Sequence, residues 1–203
     1  MRIKLLVIGG LALVSALLAT TSRGQERAFE MTPAIQAELD RNKEGIAEWA
    51  GDPVIVKAVV EQNAKGPIPG MDKAKWTTIR SGALIIKDFK SNPAGKLLRA
   101  KLEKGGNMYT EAFLSATKGE KVAFVEKTTN YIHRGMAKFD VPFDTGKSWQ
   151  GKPEFDDSSQ YHAIQISVPV VSQGSRIGVL VVGLNLTHLE RTTSQAVAGA
   201  AKR

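Results

Sequence analysis

The stretch Tyr161–Leu186, YHAIQISVPVVSQGSRIGVLVVGLNL, decides the fold. In its first half Ile164, Ile166, Val168 and Val170 alternate with Ala163, Gln165, Ser167 and Pro169, the period of a strand with one face buried and the other more polar. From Ile177 to Leu186 both parities are apolar, so the second strand is covered on both faces. Ser172-Gln173-Gly174-Ser175 between them is a turn of hairpin length, with Gly174 free to adopt positive φ. The reading is an antiparallel hairpin in the middle of a sheet. Pro169 cannot donate to a ladder, so its nitrogen must face a bulge or an unpaired edge.

Upstream the pattern is helical. Thr32-Pro33 is an N-cap followed by proline at the first helical position, and Ile35, Leu39, Ile46 and Trp49 recur at helical spacing up to Gly51. Asp52-Pro53 repeats the signal before VIVKAVVEQNAK, which ends at the Gly66–Gly70 run GPIPG. Asp72 opens a third helix with Trp76, Ile79, Ala83 and Ile86 on one side, and Asn92-Pro93 opens a fourth that closes at Gly105-Gly106. Lys96, Arg99, Lys101 and Lys104 make that fourth helix basic, as a solvated face or as an anion or partner contact.

From Asn107 the period shortens. MYTEAFLSA and KVAFVEK read as a first hairpin around Thr117–Glu120. A long polar excursion, Thr128–Phe155, holds one short strand near Ser148–Phe155 and is long enough to suggest function. Asp156–Ser159 then makes a turn before the long hairpin, and the tail from Leu189 forms a weak helix. The chain therefore reads as an α+β fold, with N-terminal helices (residues 30–105) packed on a five-stranded antiparallel sheet (107–187). The other sheet face, carrying Gln165, Ser167, Tyr109 and Glu111, is left for the excursion to cover.

Residues 1–24 stand apart. Arg2 and Lys4 precede an apolar run, Leu5–Ala19, and Ser22-Arg23-Gly24 ends in small residues suited to cleavage. That is the layout of a secretory signal peptide, with a retained N-terminal anchor as the alternative. The run is shorter than the roughly 20 residues a spanning helix needs. The expected mature protein, residues 25–203, is a single periplasmic or secreted domain with no membrane span. Removing Arg2, Lys4 and Arg23 lowers the net charge from +8 to +5, a mild excess without a basic stripe interleaved with aromatics, so nucleic acid is not an expected partner. The chain has no cysteine, which excludes disulfides and thiolate metal sites and leaves stability to packing.

From Met108 to Leu186 the order of motifs resembles the PAS-like extracytoplasmic sensor domains called Cache or PDC domains. The sequence gives a first hairpin, TTNY and a polar loop, GK-W, a D-S turn, ISVPV, a short turn and IGVLVVGLNL. The resemblance implies a small-molecule sensing domain, with the ligand held between sheet and polar loop. It also implies a membrane receptor or histidine kinase as signalling partner. Amino-acid-binding members use an arginine closely followed by aromatics and an aspartate after the short strand. Here Arg134 is followed by Gly135-Met136-Ala137, whereas Asp157 stands where the aspartate would.

The residues themselves point to an anion site in the excursion. Arg134 with His133, Lys138 and Tyr131 supplies a guanidinium fork and a flanking ammonium for a carboxylate or phosphate. Trp149 forms a wall, Asp157 orients the loop or meets a cationic group, and Gln165 reaches up from the sheet. Solvated loop and turn roles stand beside each assignment. His133, His162 and His188 lack metal-ligand spacing, and no cofactor motif is present. Gly146-Lys147-Ser148 lacks the first glycine of a phosphate loop, and no nucleophile elbow or paired catalytic carboxylates stand out, so the reading is not an enzyme. The function expected is a free-standing extracytoplasmic domain binding a small anionic metabolite such as an organic acid. The alternative is a periplasmic interaction module with no small-molecule ligand.

Overall fold

The computed structural model describes residues 28–157 and 159–200. The expected leader, residues 1–24, lies outside them. The hairpin forms as read: β5 (Tyr161–Ser172) and β6 (Ser175–Asn185) pair from Ala163↔Asn185 to Ser172↔Ser175. Its turn needs two left-handed residues, Gln173 at φ 49° and Gly174 at φ 76°, whose twist matches the flanking strands. Past Ser167 the strand on the far side of β5 has ended, and a bulge follows at Val170/Val171, so Pro169 sits where a missing N–H costs nothing.

Strand β6 is central. On its other side lies β1 (Tyr109–Ala116), which pairs in turn with β2 (Lys121–Phe124). The short strand expected near Ser148–Phe155 is two strands, β3 (Trp149–Gln150) and β4 (Glu154–Asp156), both paired with β5. Gly151-Lys152-Pro153 separates them, because the proline cannot donate to the ladder. The antiparallel sheet therefore has six strands, in the order β2-β1-β6-β5-β3 with β4 beside β3's end of β5.

Helices α1 (Pro33–Ala50), α2 (Pro53–Lys65) and α5 (Pro93–Gly105) start at the proline-marked positions. Each is capped by the side chain before its proline: Thr32 accepts from Ile35 N, Asp52 from Val54 N, and Asn92 from Gly95 N. Their apolar faces put Ile46, Val59 and Leu98 against Leu114, Ile166, Val168 and Val182, all fully buried or nearly so. Burial of each such side chain contributes about 1.5–3 kcal/mol. The C-terminal helix α7 (Leu186–Ala200) leaves β6 directly and adds Leu186 and Leu189 to this core. Asn185 Oδ1 accepts from His188 N at its start and so caps the helix.

The third helix is divided. α3 (Lys73–Thr78) and α4 (Leu84–Ser91) are separated at Ile79–Ala83, where Ser81-Gly82 breaks the periodicity. Both halves turn their aromatic side inward. Trp76, Ile86 and Phe89 meet Phe113, Phe124, Val179 and Val181 on the second face of the sheet, and the excursion adds Tyr131 and Phe139. Inside the excursion lies a helix that the sequence pattern did not announce, α6 (Ala137–Thr145). It has Pro142 in its interior and no side-chain N-cap. The GKS segment is its exit, with Gly146 at φ 75° as the left-handed C-cap.

Candidate functional site

The second face of the sheet is thus plugged over one part of its area and open at one end. The opening is a cleft of about 660 Å³ where the start of β1, the end of β6 and the start of β5 meet β3 and β4. Its floor is a rung of three residues, Glu111↔Gly183↔Gln165. A bulge at Thr110 sets the floor: Tyr109 pairs with Leu184 and Glu111 with Gly183, so one residue is looped out. This corrects the expected placement of Tyr109 on the same face as Glu111. Tyr109 packs with the helical layer, edge-on to Trp49 and donating to Asn42 Oδ1 at 2.9 Å, and only Glu111 faces the cleft.

Glycine at 183 makes the floor possible. Gln165 Nε2 donates across it to Glu111 Oε1 at 2.5 Å, whereas a Cβ there would stand 2.4 Å from Thr110 Oγ1 and 2.7 Å from Glu111 Cγ. The walls are Trp149, Phe155 and Tyr161. The charged lining is Glu111, Glu154, Asp156 and Asp157 against Lys152 alone. Such a lining attracts a ligand that presents a cationic or hydrogen-bond-donating group.

Of the residues singled out in the sequence, Trp149, Asp157 and Gln165 are brought together on this cleft. The other four lie elsewhere. Arg134 Nη1 pairs with Asp144 at 2.8 Å and Asp140 at 3.5 Å, and its guanidinium lies against Phe139 and Phe143. It fastens the flank of α6, and its charge is met by the helix's own carboxylates. Tyr131 is a core residue beside Trp76 whose hydroxyl accepts from Ile68 N at 3.0 Å. His133 is buried against Phe113, ring centroids 4.7 Å apart. Burial first, then the charges of Lys121 and Lys138, lower its pKa to about 2, so it is a neutral imidazole. Lys138 is half-buried at the start of α6.

Sequence reasoning missed Glu111 and Gly183 as partners, and it missed Lys121. Alternation placed Glu111 on the right face, but its bond to Gln165 depends on a strand order that puts β6 between β1 and β5. Among the described residues no group of histidines and carboxylates is arranged to hold a metal ion.

No protein-family model matches the sequence, and no curated protein matches it. Solved structures do. The chain is similar to the sensor domain of the V. cholerae histidine kinase DctB, at 17% identity over 78% of this chain and 53% of that one, with a TM-score of 0.50. A weaker likeness is to the ligand-binding domain of the Pseudomonas aeruginosa amino-acid chemoreceptor PctC in complex with GABA, at 14% identity over 76% and 56%, with a TM-score of 0.44. The chain spans about half the length of these domains. Its fold is that of the Cache or PDC sensor domains, the α+β PAS-like architecture that the motif order resembles.

Proposed function

We propose that this chain is an extracytoplasmic, sensor-type ligand-binding domain whose ligand occupies the cleft on the Glu111–Gly183–Gln165 rung. One observation carries the reading: on the sheet face that α3, α4 and α6 cover, aromatic and aliphatic side chains fill one part, and beside them a hydrogen-bonded polar pair forms the floor of a ligand-sized opening. The fold supports it, since it is that of a sensor domain. The ligand is a small metabolite bearing an ammonium or comparable donor group, held by Asp157 and Glu111 and flanked by Trp149. The anionic ligand expected from Arg134 would meet only Lys152 in this cleft, against four carboxylates, and Arg134 takes no part there. Export through the 1–24 leader belongs to the same proposal. Among the described residues no helix is long and apolar enough to cross a membrane.

A thermal-shift screen of the exported protein against amines, amino acids, organic acids and nucleotides tests the assignment. The expected result is a selective rise with an amine-bearing compound that Asp157→Asn and Trp149→Ala each reduce and Arg134→Ala leaves intact. A response confined to organic acids, or one that survives Asp157→Asn, Trp149→Ala and Gln165→Leu, would remove it. N-terminal sequencing of secreted material should begin at Gln25.

A further inference from the structure

The basic helix read from the sequence is one part of a larger charged face. Residues 72–104, which span α3, α4 and α5, hold nine basic and three acidic side chains, a net of +6 out of the chain's +8. α4 and α5 gather at the outer edge of the sheet, where β2 is the last strand. β1 and β2 pair with an irregularity: Leu114 faces Ala123, but Ser115 faces Lys121, so Val122 is an extra residue. The bulge sends Val122 with Ala123 into the helical core and turns Lys121 to the opposite face, where it is buried with Nζ 3.2 Å from the centre of the Phe113 ring. Lys121 therefore adds nothing to the surface charge.

Side chains from the α4–α5 junction close the edge of β2. Asn92 Nδ2 donates to Val122 O at 2.8 Å and Arg99 Nη2 to Val125 O at 3.0 Å, which satisfies two outward carbonyls and fixes α5 beside the strand. Just past β2, Glu126 meets cations from both helices, Lys90 of α4 at 2.7 Å and Arg99 of α5 at 3.7 Å. The next residue, Lys127, donates to Ile79 O at 2.8 Å and lies over the Trp76 ring, at the break between α3 and α4. One carboxylate thus sits among three cations. Beyond them Arg80, Lys87 and Lys96 are exposed, and among the described residues none of the three has an ion-pair partner. Leu84, between Arg80 and Lys87 in the chain, is 77% exposed, the most open large hydrophobic residue described.

The chemistry of this face selects its partner. The Arg99 fork is already taken by Val125 O and Glu126, so the charges left facing outward are chiefly the point charges of lysine. A fluid sheet of negative charge meets such cations wherever they stand, whereas a folded acidic partner must match each one. An exposed leucine among them adds apolar contact at the headgroup boundary. We propose that the β2 edge, with Arg80, Leu84, Lys87 and Lys96 outermost, docks on an anionic phospholipid bilayer. The acidic residues Glu154, Asp156 and Asp157 of the cleft stand at the opposite edge, four strand spacings or roughly 20 Å away. A docked domain therefore holds its cleft off the membrane. The docking face stands whatever the cleft binds.

Flotation of the exported protein with phosphatidylcholine vesicles containing about 30% phosphatidylglycerol tests the proposal. The expected result is binding at about 0.05 M sodium chloride that weakens about tenfold or more by about 0.5 M, with none to phosphatidylcholine alone. Lys87→Gln combined with Lys96→Gln should weaken binding about 25-fold, at roughly fivefold per charge, and Leu84→Ser should weaken it several-fold. All three positions are exposed, so the variants should fold and melt as wild type does. Lys147→Gln combined with Arg191→Gln takes the same charge from the far edge of the sheet and from α7, and should bind within about twofold of wild type. Equal loss in the two pairs, binding indifferent to salt or to phosphatidylglycerol, or no flotation of wild type would overturn the docking face. Retention on immobilised polyglutamate without flotation would give the face to an acidic protein and overturn the membrane reading as well.

Discussion

Replacing Gly183 with alanine puts the cleft floor under direct test. The new Cβ would lie 2.4 Å from Thr110 Oγ1, 2.7 Å from Glu111 Cγ and 3.3 Å from Glu111 Oε1, against the 3.5–4.0 Å at which carbon contacts turn favourable. The neighbours are side chains, so the strands need not separate; Glu111 must swing away and give up its bond from Gln165. Losing a hydrogen bond to a charged group costs about 1.5–3 kcal/mol, and the stiffer unfolded chain of alanine returns about 0.4–1 kcal/mol. The expected net loss is therefore about 1–2 kcal/mol in urea unfolding followed by circular dichroism, together with loss of cleft binding. Gly178→Ala is the contrast. There the Cβ would stand 2.3 Å from the backbone oxygen of Ser115 and 2.9 Å from Val59 Cγ1, so the ladder itself must open, at about 3 kcal/mol or more. Most of the Gly183→Ala cost should vanish in a Thr110→Ala, Glu111→Ala background. If it persists there, or if the two glycine variants lose equal stability, Gly183 serves the sheet and the floor has been misread.

Other outcomes follow from the charges. Lys121 has a folded pKa below its unfolded value, so the folded state is penalised when pH falls below the ordinary 10.5. The stability gain of Lys121→Met should therefore shrink as pH rises from 7 towards 10, by at most about 1.4 kcal/mol per unit; a gain independent of pH would count against a buried amine. His133 has the same sign. Its contribution is intact above pH 6.5 and is lost as pH falls from 6.5 towards about 2, so His133→Phe should flatten acid unfolding in that window, as read by urea midpoints at pH 4–7. Arg134→Ala removes a half-exposed ion pair and should cost no more than about 1 kcal/mol, less at high salt; a larger loss would mean that α6 depends on it. Phe139→Ala empties a fully buried position beneath α6 and should cost about 3–5 kcal/mol by calorimetry.

The helix starts were legible because Thr32, Asp52 and Asn92 each precede a proline, a signal that needs no tertiary context. The β5–β6 hairpin was legible for a similar reason, since alternation and a two-residue turn are both local. What failed was non-local. α6 carries Pro142 and lacks a capping side chain, and it is held by Arg176 donating to Phe143 O and Asp144 O from a strand far along the chain. Arg134 looked free because its partners Asp140 and Asp144 become neighbours only once that helix forms. Trp149, Asp157 and Gln165 reach the cleft because β5 pairs with both short strands, so residues chosen one by one fall on one opening. Lys121 was invisible because alternation assigns it to the wrong side.

The looped-out Val122 makes the surroundings of Lys121 a question of counting. Shortening β2 by that one residue would alter no functional group, yet it would swing the amine across the sheet among Ile55, Val59 and Leu98. A deletion of this kind is a harsher and more informative lesion than any substitution of the lysine, because it removes only the Val122 side chain yet moves Lys121 to the other side of the sheet.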